Sequence, residues 1–326
     1  MSGRIVVGVD GSHAASAAVE WAAADARRRG LGLRIVHVCE QWPPTDAASG
    51  TASEAAIRAA DVGGTEFCAG ALETAAEHAR DLAPDVEVTT AMLSGGVIDA
   101  LVRESATADG VVVGSRGLGG FAGMLLGSVG LNLAGHAAGP VVVVRGPSVV
   151  QHGQVVVGYD GSEHSTAAME YAIEQARSRD AQLYVVTAWQ MPVFSPYAAA
   201  YSDLLQEAYE EEVRMARAWV VPWRERHPDV RIIDEQVSEH PVSALVKASA
   251  SADLVVVGSR GRGGFAAAML GSVGHGVLHH VTCPVAVVRP RGDRRQGPPA
   301  GGERAPGESG PDRPPAGGDE ETGGRP

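Results

Sequence analysis

Apolar residues in this chain gather into short continuous runs, and the stretches between the runs carry a helical period. Residues 4–9 (Arg4-Ile5-Val6-Val7-Gly8-Val9) have the pattern of a strand buried on both faces. Ser12 is a good N-cap. Ala14, Ala15, Ala18, Val19, Trp21 and Ala22 then mark the apolar stripe of a helix that Gly30 ends. Further strands are predicted at 33–39, 86–92, 110–114 and 141–145, and helices at 53–82, 97–106 and 128–136. Gly63-Gly64 is a point where the long helix could break. Strands alternating with helices imply a parallel sheet covered on both faces.

The pattern then repeats. Ile5-Val6-Val7-Gly8-Val9-Asp10-Gly11-Ser12 returns 150 positions later as Val155-Val156-Val157-Gly158-Tyr159-Asp160-Gly161-Ser162. Val111–Ala122 returns 144 positions later as Val255–Ala266, and Gly139–Arg145 as Cys283–Arg289. The second copy is therefore six residues shorter, and residues 40–70 are where the difference is expected. The reading is an α/β chain of two tandem doubly wound domains, residues 1–147 and 148–290. Each has a five-strand parallel sheet of order 3-2-1-4-5. Of the last 37 residues, 18 are Gly or Pro and none is Val, Ile, Leu or aromatic, so residues 291–326 are expected to be a disordered tail.

Composition narrows the function. A formal net charge of −12 argues against nucleic acid and against anionic membrane surfaces. The apolar run at the start is too short for a signal peptide or membrane span, and a soluble, cytoplasmic protein is expected. Cys39, Cys68 and Cys283 are too few and scattered for a disulfide framework or a zinc site, and each reads as a small hydrophobe or inert thiol.

The strongest chemical signal follows the fourth strand. Gly114 and Gly117 precede Gly127-Ser128 after nine intervening residues, and Gly258 and Gly261 precede Gly271-Ser272 at the same spacing. Glycines let the backbone approach a ligand and adopt positive φ, so that successive amides face one concavity. Ser128 and Ser272 stand where a helix begins and can hold phosphate oxygens. A tight chain reversal would also explain such glycines. A lysine-dependent phosphate loop is excluded, because Lys247 is the only lysine and lies in Leu245-Val246-Lys247-Ala248. A dinucleotide fingerprint does not follow the first strand. In the expected sheet the ligand crevice lies between strands one and four, so Asp10 and Asp160 should face these loops. Each Asp has two readings: contact with ribose or with phosphate-bound Mg²⁺, or an Asx turn with the following Gly-Ser.

These residues closely resemble the universal stress protein family in its ATP-binding branch, over residues 4–145 and 153–289. The resemblance implies ATP held by the loop backbone through Gly8, Asp10, Gly114, Gly117, Gly120, Gly127, Ser128 and Val129 in the first copy. In the second it implies Gly158, Asp160, Gly258, Gly261, Gly264, Gly271, Ser272 and Val273. The loop residues Ser115, Arg116, Ser259 and Arg260 complete the candidate set. The adenine pocket would include Val38, and Thr187 or Ala188. The resemblance also implies pairing of residues 140–145 with 284–289 through strand five, a further homodimer, and a regulatory role with a protein partner. ATP, ADP, AMP and cyclic AMP are not distinguished by these residues.

No positioned general base recurs in both copies, since Glu163 replaces His13. Binding is expected to dominate over turnover. A slow ATPase, or an interaction module with non-binding loops, are the alternatives.

Overall fold

The valine runs are apolar on both sides because helices cover both faces of one sheet. The computed structural model describes residues 3–39, 54–118, 126–146, 150–189, 202–262 and 270–290, with backbone alone at 54–65, 202–206, 208 and 209. In the first half, β1 (Arg4–Gly8), β2 (Gly32–Cys39), β3 (Val88–Ser94), β4 (Gly110–Gly114) and β5 (Val141–Val144) alternate with α1 (His13–Arg29), α2 (Glu54–Leu82), α3 (Val97–Ser105) and α4 (Ser128–His136). The second half repeats this with β6 (Gln154–Gly158), α5 (Glu163–Arg179), β7 (Gln182–Ala188), α6 (Ser202–Arg226), β8 (Ile232–Val237), α7 (Pro241–Ala248), β9 (Leu254–Gly258), α8 (Ser272–His280) and β10 (Val285–Val288).

The strands form one ten-stranded sheet of order β3-β2-β1-β4-β5-β10-β9-β6-β7-β8. Each half has the expected order 3-2-1-4-5 with parallel neighbours. The halves join where β5 and β10 run antiparallel, with Val143 opposite Val285, Val142 opposite Ala286 and Val141 opposite Val287. Strand five thus makes the internal pairing that the resemblance implied. One face carries Val7, Val112, Val142, Val157 and Val256 beneath α1, α2, α5 and α6. The other carries Val6, Val111, Val143, Val156 and Val255 beneath α3, α4, α7 and α8. Each such side chain contributes about 1.5–3 kcal/mol on burial.

Small residues bring α1 close to the sheet: Ala15, Ala18, Ala22 and Ala26 are buried against it. Ser12 caps α1 by accepting the Ala15 N–H, and Gly30 ends it at φ 63°. Two expectations need correction. The third strand spans Val88–Ser94 rather than 86–92, because Val86 is held in a turn by its N–H to the Ala83 carbonyl. The long helix α2 continues through Gly63-Gly64, where propensity alone allowed a break. The length difference between the halves falls between β2 and β3 as expected, where α2 has 29 residues and α6 has 25. The tail, residues 291–326, lies outside the described residues. No helix among the described residues is long and apolar enough to cross a membrane.

A buried polar knot lies where α1 meets α5. Asp25, fully buried, accepts from Arg28 (3.4 Å), Arg29 (3.3 Å), Arg179 (3.2 Å) and the Gln175 amide (3.2 Å). Gln175 stands 150 positions after Asp25, and Arg179 150 after Arg29. The knot therefore sits on the pseudo-two-fold axis that relates the halves.

Candidate functional site

β1 lies beside β4, and β6 beside β9. The loops leaving their carboxyl ends consequently meet in each half. The first-strand loops turn at Gly11 and Gly161, with φ 84° and 76°. Each turn is held by the preceding carboxylate. Asp10 Oδ1 accepts the Ser12 N–H and Asp160 Oδ1 accepts the Ser162 N–H, both at 3.0 Å. The second oxygens cross the crevice: Asp10 Oδ2 accepts the Leu118 N–H at 2.9 Å, and Asp160 Oδ2 accepts the Arg262 N–H at 3.0 Å. The Asx turn is thus present, and each Asp also ties its turn to the glycine loop. Burial pushes the Asp160 carboxyl up, but the Ser162 and Arg262 hydrogen bonds outweigh it and hold the group below its ordinary value.

The glycines serve these loops differently from expectation. Among the described residues, Gly114, Gly117, Gly127, Gly258, Gly261 and Gly271 do not have positive φ. Their requirement is close approach. A Cβ on Gly114 would lie 2.7 Å from the Ala14 carbonyl carbon, and one on Gly258 would lie 2.8 Å from that of His164. A Cβ on Gly117 or Gly261 would strike the Asp10 or Asp160 carboxylate. Gly120 and Gly264 lie outside the described residues.

Several of the described loop amides are bonded within the protein. Ser115 N–H donates to Val144 O and Ser259 N–H to Val288 O; Gly127 and Gly271 N–H donate to the carbonyls of Ser115 and Ser259. Both serine side chains are buried, and Ser259 Oγ sits 2.9 Å from His164 Nδ1. Ser115 and Ser259 therefore pin the loop to the sheet. Among the described residues, further donors stand at the helix starts. Ser12 and Ser162 cap α1 and α5, whereas Gly127 and Gly271, the N-caps of α4 and α8, offer no side-chain hydrogen bond. A helix start without a cap retains orphan N–H groups and a positive dipole end.

In the second half these groups border a cavity of about 640 Å³, within the usual range for ligand sites of about 300–1,000 Å³. Gly271, Ser272, Val273 and Gly274 line it at the start of α8. Gly158, Asp160, Gly258, Arg260 and Gly261 line the strand ends, and Thr187 and Ala188 the end of β7. The Thr187 hydroxyl is buried without a hydrogen-bond partner. The sequence reading omitted an aromatic wall: Tyr159, Trp189 and Trp219 also line the cavity, with Glu212 and Arg262. Tyr159 and Trp219 meet edge to face at 6.4 Å, and the Arg262 guanidinium lies over the Trp219 ring at 5.4 Å. A compositional signal for this wall exists: three of the five tryptophans fall between residues 189 and 223.

The first half builds its corresponding wall from other residues. Asp10 approaches Gly117, Ser12 Oγ donates to the Arg116 carbonyl at 3.3 Å, and Val38 pairs with Leu93 in the sheet. Ser128 and Val129 open α4. Val9 stands where the second half has Tyr159, and His37 meets Phe67 edge to face at 6.3 Å. Burial lowers the His37 imidazole, against the opposing effects of the Val9 main chain and Asp10. The reading of all three cysteines as isolated thiols is corrected: Cys39 and Cys68 form a disulfide, their Cα atoms 6.5 Å apart. The sequence separation of 29 hid this pairing, which depends on α2 folding back along β2. Cys283 keeps the inert reading, since burial pushes its thiol up to about 12.

The profile of the Universal stress protein family matches residues 1–145 and 152–289. The universal stress protein Rv2005c of Mycobacterium tuberculosis is 37% identical over 296 residues, covering 87% of this chain and 96% of that protein. The universal stress protein Rv1996 of the same species is 35% identical over 301 residues, covering 87% and 94%. The crystal structure of a universal stress protein from Archaeoglobus fulgidus shares the fold, with a TM-score of 0.64 at 20% identity, over 90% of this chain and 100% of that one. Twofold matching of the profile, relatives aligned along nearly their full length and the repeated site geometry agree: this chain belongs to the universal stress protein family.

Proposed function

We infer that the protein is an adenine-nucleotide-binding regulator with one site per half and ATP as the expected ligand, acting through occupancy rather than rapid turnover. The observation that carries this reading is the second-half cavity, which joins two kinds of recognition in one space. At one end the uncapped start of α8 offers main-chain N–H groups and a dipole suited to phosphate. At the other, the unpartnered Thr187 hydroxyl and the aromatic wall suit a heterocycle and its polar edge. Asp160 stands between them, and with two oxygens each accepting one N–H it retains lone pairs for a ribose hydroxyl or a phosphate-bound Mg²⁺. Asp10 has the same bonds in the first half.

The test is direct. Full-length protein purified without added nucleotide is denatured and the released small molecules are identified by mass spectrometry. Protein stripped of nucleotide is then titrated with ATP by calorimetry. An adenine nucleotide in the extract, or saturable heat on titration, is expected. The absence of both release and heat would overturn the reading.

The halves also predict unequal reporting. Trp189 and Trp219 line the second cavity, so nucleotide binding there should change tryptophan fluorescence. Asp160→Ala should abolish most of that change and Asp10→Ala should leave it. An equal loss in both variants would place the responsive tryptophans elsewhere.

A further inference from the structure

In the first half, His37 and Cys39 lie two residues apart on β2 and so project from one face of the strand. Cys68 faces them from the middle of α2. One ligand atom from each of the three residues lies within 4.8 Å of the others. His37 and Cys68 are buried and Cys39 is half-buried. His37 Nδ1 is buried with no hydrogen-bond partner, a condition that usually marks a missing partner. The second half has none of this chemistry. The matching positions, 150 after His37 and Cys39 and 144 after Cys68, are Thr187, Trp189 and Glu212. All three line the second-half cavity. The trio therefore occupies the wall of the first-half site.

We propose that His37, Cys39 and Cys68 form a binding site for a thiophilic d10 cation, with Zn²⁺ as its representative, when the cysteine pair is reduced. Two sulfurs and one imidazole nitrogen suit Zn²⁺ by donor type and leave a fourth position for water. In a reducing compartment such a close pair of cysteines holds metal more readily than a disulfide. The chemistry balances with a phosphine as reductant. The phosphine gives two electrons to the S–S bond and takes the oxygen of one water as phosphine oxide, and the two water protons complete the thiols. Zn²⁺ then displaces both thiol protons, forming two Zn–S bonds, and accepts the Nδ1 lone pair.

The test uses the full chain, reduced with phosphine under anaerobic conditions and titrated with Co²⁺ as a spectroscopic probe, then with Zn²⁺ in competition with a chromophoric chelator. One Co²⁺ per chain and a near-ultraviolet thiolate-to-cobalt charge-transfer band are expected. Cys39→Ser and Cys68→Ser should abolish the band, and Cys283→Ala should keep it. Removing an outer-shell partner alone typically costs about 10–100-fold in metal affinity, so His37→Ala should lower Zn²⁺ affinity at least about a hundredfold. Circular dichroism checks that each variant folds. X-ray absorption of the wild-type Zn²⁺ form gives an independent reading, with two sulfur neighbours and imidazole scattering expected. The proposal is overturned if the reduced wild type gives no band. It is likewise overturned by a band that survives loss of Cys39 and Cys68, or by absorption showing no imidazole.

Discussion

Asp25→Ala should lower the stability of the folded chain by about 3–5 kcal/mol, the usual consequence of removing one partner from a buried ion pair. Asp25 is the buried carboxylate between Arg28, Arg29 and Arg179. Arg29 and Arg179 have side chains only 13% and 11% exposed. Without Asp25 those guanidiniums stay desolvated and face one another across the junction of α1 and α5. Glu174 touches Arg29 at 3.5 Å, but its side chain is 59% exposed, so it offers weak compensation. Asp25→Asn keeps the shape and the contact with Gln175, and should separate loss of charge from loss of packing. Denaturant unfolding followed by circular dichroism measures both. A shift under about 1 kcal/mol for Asp25→Ala would show that the arginines reach water on their own.

The second large effect contrasts two glycines of one loop. Gly258→Ala places a Cβ 2.8 Å from the His164 carbonyl carbon and 2.9 Å from its oxygen. Those are backbone atoms of α5, so helix and strand must separate. Overpacking of this kind costs about 1–3 kcal/mol or more. Gly261→Ala places its Cβ 2.6 Å from Asp160 Oδ2. A carboxylate can swing away, at the cost of its bond to the Arg262 N–H. The fold should survive, while ATP affinity falls on the order of tenfold, about 1.4 kcal/mol. Unfolding midpoints and calorimetric titration on both variants give the comparison. Wild-type affinity in Gly261→Ala would remove Asp160 from the site, and a wild-type midpoint in Gly258→Ala would show that α5 has room to move.

Much of the architecture was legible in the chain because its strands are buried on both faces. Val111-Val112-Val113 and Val255-Val256-Val257 admit few alternatives once helices flank them. The repeat made each half a check on the other. The edge strand β3 was displaced by two residues because its half-exposed Val88–Ser94 lacks such a run. The crevice was legible through strand order and through Asp10, Asp160 and the helix starts. Its walls were not. Trp219 sits on α6 far from the motif, and only the packing of that helix brings it over Gly161, where a Cβ would lie 3.5 Å from the indole. The role of the glycines was misread for a related reason. Composition announces conformational freedom, whereas the need at Gly114 and Gly258 is for space beside α1 and α5, which depends on tertiary contact.

The knot on the pseudo-axis has a consequence for ancestry and engineering. Had the halves remained interchangeable, Asp25 would meet its own duplicate, setting two carboxylates together in a dry place. The reciprocal pairing would bury Arg179 twice, with no interior acid to answer it. Each half has thus become a lock cut for the other. Severed and expressed alone, neither should find in a twin what it finds in its tethered neighbour.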